Sequence, residues 1–357
     1  MTNTKLTRQS GIELLRIYAI LSVIILHYFN YSIGGGAKYI QGTISVFVWH
    51  LFLTLAFCAV DLFVMISGFF LSMNLKRSFG KIIFLLFEAS VLRIILYIVN
   101  SLLYSETITA AGIVRAALIY GYFIVFYSIV YLLSPLINIG FNRLDEKNEK
   151  KAVILLFVLF SVVPAAAAVL SSYSVLGSDW TGICTITAKG SMEGYSIVNF
   201  FLCYVIGGHI RHQKNKCSRK KVLFLFAFNT VALLIWGYIN WQSAYTYDNP
   251  LVVLEAAFLL VLFKDLKFRS KIINELASSG FTCYLVHRIM LDYIAIEKYA
   301  SKSWYILLLH LLLSSVAIYC ICYVIHKIYC LCTEWFVRLL SPRIDKLNLT
   351  ICVNDEY

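Results

Sequence analysis

Residues 11–31 read GIELLRIYAILSVIILHYFNY, an apolar run long enough to cross a bilayer that nevertheless holds an arginine and a histidine. Nine further apolar runs follow it along the 357-residue chain, which is 60% hydrophobic and only 14% charged. A soluble domain is closer to half apolar and a quarter charged. The sequence therefore predicts an all-α polytopic membrane protein with about ten transmembrane helices.

The predicted spans alternate with short polar connections. They cover residues 11–31, 45–73, 82–103, 120–141, 152–170, 195–210, 222–241, 250–263, 276–296 and 304–331. The second is about 43 Å long as a helix, so it must tilt, break or protrude. An amphipathic segment at 110–117 is expected to lie at the membrane interface. These spans predict a transmembrane domain over 11–332, between terminal tails at 1–10 and 333–357.

Lysine and arginine are divided very unevenly between the two sets of connecting loops. One set, together with the two tails, holds 23 of them, whereas the alternate set holds four: Lys38, Lys189, Lys298 and Lys302. Basic loops stay in the cytoplasm, so both chain ends are predicted to be cytoplasmic and the protein to lie in the plasma (inner) membrane, with lipids as its surroundings. Because the net charge of +12 is spread over loops between apolar runs, it does not indicate a nucleic-acid partner. The longest outer loop, 171–194, is rich in glycine and is predicted to be a lid or substrate loop.

Two ionisable residues in the first span share one helix face. Arg16 and His27 are eleven residues apart, which is three turns plus about 20° and about 16 Å of rise. Buried ionisable groups are costly in a bilayer and so indicate a partner or a function. Arginine binds phosphate through a planar fork, and histidine serves as a general base near neutral pH. The alternative is structural: Arg16 reaches the interface and His27 caps a neighbouring helix.

Asp61, Ser67 and Gly68 lie in the second span, in AVDLFVMISGFFLS at 59–72. Asp61 and Gly68 are seven apart and so share a helix face, where the glycine admits a ligand or another chain segment. Asp61 is expected to pair with Arg16 or to orient His27; a structural ion pair with Arg93 is the alternative.

Three other charged residues are candidates for the site. Glu88 and Arg93 in the third span are five apart and are expected to find different partners. His287 is a plausible site residue by itself, whereas the H-x4-D pattern that it forms with Asp292 is read as coincidence because the two point in different directions on a helix. The ten cysteines are expected to be packing residues, and no metal site is predicted.

At this point the chain resembles the membrane acyltransferase-3 family. The stretch at 11–31 resembles its first helix, with the R-x10-H motif at Arg16 and His27, and 59–72 resembles its second-helix signature. The segments YGYFIVFYSIVYLLSPLIN at 120–138, GGHIRHQ at 207–213 and GFTCYLVH at 280–287 resemble further family segments in the same order. A departure is the third span, KIIFLLFEASVLRIILYIV, which has Arg93 and lacks the proline of many relatives.

The resemblance implies about ten helices and transfer of an acyl group, usually acetyl, from a cytoplasmic thioester to a carbohydrate hydroxyl. The acceptor would be a cell-surface polysaccharide or its lipid-linked precursor. Acetyl-CoA would be a substrate, and no bound cofactor is expected. The family's essential motif maps onto Arg16 and His27.

From these residues we expect His27 to act as the base and Asp61 to hold its tautomer. The phosphates of the donor are expected near a group of polar and basic residues: Arg16, Ser67, Lys76, Arg77 and Lys81. Relay through an acyl-His27 intermediate remains a variant. Two other functions stay open: a transporter or flippase of a lipid-linked sugar, and a non-catalytic partner of a polysaccharide synthase. The sequence assigns no oligomeric state.

Overall fold

The structure is a computed structural model that describes residues 9–118, 121–172, 175, 194–213, 217–344 and 347–350. The described chain is helical except for its connections and one pair of three-residue strands. The predicted loop at 171–194, with Lys189, lies almost entirely outside the described residues. The all-α multi-pass class predicted from the sequence is confirmed.

Among the described residues, the first half of the chain supplies one strand and eight α-helices. They are α1 Ser10–Phe29, α2 Thr43–Ala56, α3 Ala59–Leu71, β1 Lys76–Ser78, α4 Phe79–Leu103, α5 Ala110–Leu118, α6 Tyr122–Asn142, α7 Glu146–Phe157 and α8 Val163–Ser172. A π-helical turn, Val158–Val162, joins α7 to α8.

Among the described residues, the second half of the chain contains eight α-helices, the last of them very long, and one strand. They are α9 Ile197–His212, α10 Arg219–Ile239, α11 Trp241–Ala244, α12 Pro250–Lys264, α13 Lys271–Ser278, α14 Gly280–Leu291, α15 Ile296–Ala300, α16 Trp304–Ile344 and the strand β2 Asn348–Thr350. The 41 residues of α16 measure about 62 Å, so the helix extends well beyond the bilayer.

Seven helical stretches among the described residues are long and apolar enough to cross a membrane. They are Ser10–Phe29, Thr43–Leu71, Phe79–Leu103, Tyr122–Asn142, Glu146–Ser171, Arg219–Ile239 and Trp304–Pro342. The other three predicted spans correspond to α9, to α12 and to the broken run from α13 to α15, which are shorter helices of at most 16 residues. The number of ten crossings therefore stays a prediction, and so does the orientation of the two ends.

Local sequence explains where several of the helices begin. The Asp145 side chain accepts a hydrogen bond from the Asn148 backbone at the start of α7, and Ser270 does the same for Ile273 at the start of α13. Asn249 caps α12, whose first residue is Pro250. Such caps satisfy backbone N–H groups that a new helix leaves free, and proline is suited to the first helical position.

The long second span is broken, which is one of the three outcomes that its length allowed. A turn at Phe57 and Cys58 separates α2 from α3. Below this break, α3 packs very closely on α9: a side chain at Gly68 would collide with the Tyr204 carbonyl oxygen, and one at Gly207 with that of Met65. Gly68 thus admits another segment of this chain.

Helix α1 lies in the interior of the bundle, where it packs on α2, α3, α12, α13, α14 and α16. In its apolar stretch 61% of the residues are buried, compared with 17% in α4 and 22% in α10. The ionisable residues of α1 therefore have protein neighbours.

The start of α1 marks one end of the bundle, which we call the basic end. There the Ser10 hydroxyl donates to Asn274 at 2.9 Å, and the Lys264 ammonium donates to the Ile210 carbonyl at 3.3 Å. Strand β1, which directly precedes α4, pairs in antiparallel fashion with β2, which follows α16. Several loops predicted to be cytoplasmic thus meet at this end.

Candidate active site

Two histidines from distant parts of the sequence meet in the interior of the bundle. His27 Nδ1 on α1 lies 2.6 Å from His287 Nε2 on α14. The two rings are parallel to within 1°, with centroids 4.9 Å apart, so the hydrogen bond lies in the plane of both rings. His287 is 1% exposed, whereas His27 is partly exposed.

The neighbours of His287 determine which nitrogen of each ring carries the proton. His287 Nδ1 lies 2.8 Å from the Cys283 carbonyl oxygen, which only accepts, so Nδ1 donates and Nε2 of neutral His287 is left as an acceptor. His27 Nδ1 must then donate to that acceptor. It follows that Nε2 of His27 keeps its lone pair, and it makes no hydrogen bond to any described residue. This is the arrangement of a general base with an oriented imidazole.

Arg16 lies about three turns closer to the basic end on the same helix. Its Nη1 contacts both carboxylate oxygens of Glu13, at 2.8 and 3.0 Å, and its guanidinium lies over the Phe70 ring at 5.5 Å. The Glu13 side chain is 5% exposed and that of Arg16 is 35% exposed. Glu13 therefore orients Arg16, while Nε and Nη2 make no hydrogen bond within the described chain and can take an anion.

The structure places Asp61 elsewhere. Its Oδ1 accepts a hydrogen bond from Asn199 at 2.9 Å, and its Oδ2 is buried without a partner among the described residues. The expected contacts with Arg16, with Arg93 and with His27 are not formed, because Arg16 pairs with Glu13 and His27 pairs with His287. The group that holds the tautomer of His27 is thus His287, and the role predicted for Asp61 is corrected.

A second correction concerns Arg77, which is 1% exposed. All five of its N–H groups are used within the protein: Nε donates to Ser134, and the other two nitrogens donate to the carbonyls of Asn74, Lys76 and Leu71 and to the Tyr204 hydroxyl. An arginine has only five such donors. Arg77 is therefore a structural residue and leaves no donor for a phosphate.

The other residues predicted near the donor phosphates remain available. Lys76 and Lys81 are exposed close to the basic end, where the Lys81 ammonium lies 4.9 Å from the centroid of the Tyr131 ring. The Ser67 hydroxyl donates to the Phe63 carbonyl of its own helix at 3.0 Å, which leaves its acceptor sites open.

Glu88 and Arg93 do find different partners, as predicted. The Thr282 hydroxyl donates to Glu88 at 2.6 Å, and Arg93 Nε donates to the Ala116 carbonyl at 3.1 Å. Arg93 thereby ties α4 to the amphipathic helix α5. Asp292 is exposed beyond the end of α14, apart from buried His287, which agrees with reading their pattern as coincidence.

An open groove of about 790 Å³ lies beyond the histidine pair, at the end of the bundle opposite the basic end. Its walls are the loop after α1 and the chain between α14 and α16; the residues that line it include Tyr31, Gly34, Lys38, Tyr39, Leu291, Asp292, Glu297, Lys298 and Lys302. We call this cavity the lysine groove. Beside it, the Tyr28 hydroxyl bonds to His310 at 2.9 Å, which joins α1 to α16.

Comparison with known proteins identifies the domain. The acyltransferase domain model of the acyltransferase-3 family matches residues 9–327, which covers both histidines, Arg16 and most of the chain. The chain belongs to the acyltransferase-3 family. No curated protein and no solved structure matches it.

Membership in the acyltransferase-3 family makes this chain a membrane acyltransferase. It confirms the resemblance stated from the sequence, in which Arg16 and His27 form the R-x10-H motif. The sequence missed two features of the site. The pairing of His27 with His287 spans 260 residues and has no local signal. The Arg16–Glu13 pair could have been found, since residues three apart on a helix are neighbours.

Proposed function

We propose that this acyltransferase moves an acetyl or similar short acyl group from acyl-CoA to a hydroxyl of a cell-surface polysaccharide or its lipid-linked precursor. The reaction takes place in the plasma (inner) membrane. The observation that carries the proposal is the free Nε2 lone pair of His27, whose tautomer is set by His287 and the Cys283 carbonyl.

The proposed step is a direct transfer. The acceptor hydroxyl oxygen attacks the thioester carbonyl carbon while its proton passes to His27 Nε2. As the tetrahedral intermediate collapses, the carbon–sulfur bond breaks, the ester remains on the sugar, and the thiolate takes the proton back from His27. The products are the O-acyl sugar and free CoA, and His27 is neutral again.

The donor is proposed to enter from the cytoplasm at the basic end. Arg16 is held by Glu13 with two nitrogens free, and Lys76 and Lys81 are exposed close to that end. Arginine can bind a phosphate through two parallel hydrogen bonds. Because Arg16 and His27 lie about 16 Å apart along α1, a donor with its phosphates near Arg16 would extend its thioester towards His27.

A transporter of a lipid-linked sugar also needs many helices and buried charges. It would be expected to show paired broken helices in two related halves. A base with a fixed tautomer supplies the proton transfer that acylation of a hydroxyl requires. The acyltransfer reading therefore has the stronger support.

The test measures transfer of label from [14C]acetyl-CoA to endogenous acceptor in membranes that contain wild type, His27→Gln or His50→Gln. His50 is a matched control because it is a buried histidine on α2 that contacts Tyr245 instead of the pair. We expect His27→Gln to lower transfer at least 100-fold, as loss of a general base does, with His50→Gln close to wild type. Transfer by His27→Gln at the wild-type rate and equal expression would remove His27 from the mechanism. Translocation of a sugar lipid by wild type without release of CoA would establish the transporter instead.

A further inference from the structure

The lysine groove has charges that the reaction has not yet used. Five ionisable side chains line it: Lys38, Lys298, Lys302, Asp292 and Glu297. None of them forms an ion pair with another residue that the structure describes, and all five residues are exposed. Apart from a cation–π contact of Lys298 with the Tyr299 ring at 5.7 Å, the three ammonium groups and two carboxylates are therefore free to meet a ligand in one cavity.

These lysines are unusual for their side of the protein. The loops predicted to lie outside the membrane contain only four lysines, with Arg115 in the interfacial segment at 110–117, and three of the four lysines line this groove. Basic residues are scarce in outer loops in general. A cluster of three there is accordingly better explained by a ligand than by topology.

The groove is directly connected to the catalytic pair. The Gly34 N–H in its wall donates to the backbone carbonyl of His27 at 2.9 Å, and a side chain at Gly34 would place its Cβ 2.6 Å from that oxygen. On the other wall, Leu291 follows His287 by one helical turn, about 6 Å of rise. The wall of the groove therefore begins about one helical turn beyond His287, the partner of the base.

We propose that the lysine groove binds the acceptor and selects a carbohydrate that carries an anionic group, either a carboxylate or a phosphate, near the hydroxyl that is acylated. The ammonium groups of Lys38, Lys298 and Lys302 hold the anion, while Asp292 and Glu297 accept hydrogen bonds from sugar hydroxyls. This inference rests on the proposed function, because it requires that a carbohydrate be acylated by His27.

The first test examines the product. Native-host membranes lacking the endogenous enzyme and complemented with wild type are incubated with [14C]acetyl-CoA, and the labelled glycan is applied to an anion exchanger before and after mild acid. We expect the label to be retained. Retention that survives mild acid places the anion in the sugar, whereas retention lost with the acid assigns it to the diphosphate of a lipid carrier. Label that is never retained overturns the proposal.

The second test examines the groove. The triple variant Lys38→Gln, Lys298→Gln, Lys302→Gln should raise KM for the acceptor about tenfold, from about twofold per exposed charge pair, and leave KM for acetyl-CoA unchanged. Wild-type KM for the acceptor should rise with salt, because salt screens the attraction of the three ammonium groups for the anion, and that of the triple variant should not, because these groups are absent. The control carries Lys147→Gln, Lys220→Gln and Lys221→Gln, an equal change in charge on exposed residues outside the groove.

Failure of the two ideas would be distinguishable. If wild type transfers label but the triple variant matches the control in acceptor KM and in salt dependence, the groove proposal is wrong and the acyltransfer reaction stands. If wild type releases no CoA and labels no glycan, the proposed function fails, and the groove proposal fails with it.

Discussion

At the scale of single residues, two adjacent basic residues show how burial decides a role. Lys76 is exposed, whereas Arg77 is 1% exposed and donates to α3, α6 and α9. The carbonyls at the end of α3 have no partner within their helix, and that of Leu71 accepts from the Arg77 guanidinium together with the Asn138 amide and the Asn74 backbone N–H. Its positive charge therefore stabilises the fold where the sequence alone indicated a donor site.

Arg77→Gln is predicted to lower stability strongly. It removes five hydrogen bonds, of which those to Leu71 and Asn74 leave carbonyls that keep the Asn138 amide as a donor, and the combined loss costs about 3 kcal/mol or more. Thermal unfolding in detergent measures the effect. Lys76→Gln is the neighbouring control, and it should change the unfolding temperature little. A stable Arg77→Gln protein with a raised KM for acetyl-CoA would instead show that Arg77 binds the donor.

His287 is predicted to act by positioning His27. In His287→Gln the side-chain oxygen can accept the Nδ1 proton of His27, whereas in His287→Leu nothing can. We expect kcat to fall on the order of 100-fold in the leucine variant and to recover partly in the glutamine variant, with KM for acetyl-CoA unchanged in both. Equal losses in the two variants would show that packing, and not the hydrogen bond, is what matters at this position.

The sequence predicted part of this site. The eleven-residue spacing places Arg16 and His27 on one helix because helical periodicity is local. The partners of buried charges depend on which helices pack together, and for Asp61 and Arg77 these are α9 and α6. The sequence predicts a cytoplasmic charge for any basic residue between two apolar runs. It does not indicate whether the side chain points to water or into the protein.

At the scale of elements, the closest packing joins α3 to α9 through Gly68 and Gly207, each against a backbone carbonyl of the other helix. Small residues let membrane helices approach in this way. The contact aligns the part of α3 beneath the break at Cys58, and it positions Asn199 against Asp61 through the same pair of helices.

Gly68→Ala is predicted to destabilise the protein by about 1–3 kcal/mol, because the new methyl group would overlap the Tyr204 carbonyl. Gly140→Ala is the matched control: no atom lies within 4 Å of the added methyl group, and alanine favours the helix by about 1 kcal/mol. The unfolding temperatures should move in opposite directions. A Gly68→Ala protein as stable as wild type would mean that the two helices can separate without cost.

Helix breaks were harder to predict than helices. The apolar runs predicted α1, α4, α6 and α10 because each is one continuous helix. The run 276–296 instead divides into three helices at Ser279 and Gly280 and again after Leu291. The hydrophobicity pattern of the sequence does not reveal such a break, because a turn between two buried helices is as apolar as the helices themselves.

At the scale of the whole molecule, the two ends differ in charge, and we predict that they face different compartments. In a background without other cysteines, native Cys217, which is exposed just before α10, should react with an impermeant maleimide only after the cells are permeabilised. Glu106→Cys, exposed in the turn after α4, should react in intact cells. The reverse pattern would invert the assignment of the basic end to the cytoplasm.

The histidine pair ends at the Cys283 carbonyl, and this sets the number of protons that can move. A carbonyl oxygen has no proton to donate, so the pair does not form a proton-transfer chain that leads to solvent. One proton then travels from the hydroxyl to His27 and onward to sulfur, and the reaction should slow in heavy water in linear proportion to the deuterium fraction. The proton that His27 takes from the hydroxyl is then the one that it gives to sulfur, so donor and acceptor are expected to be bound together.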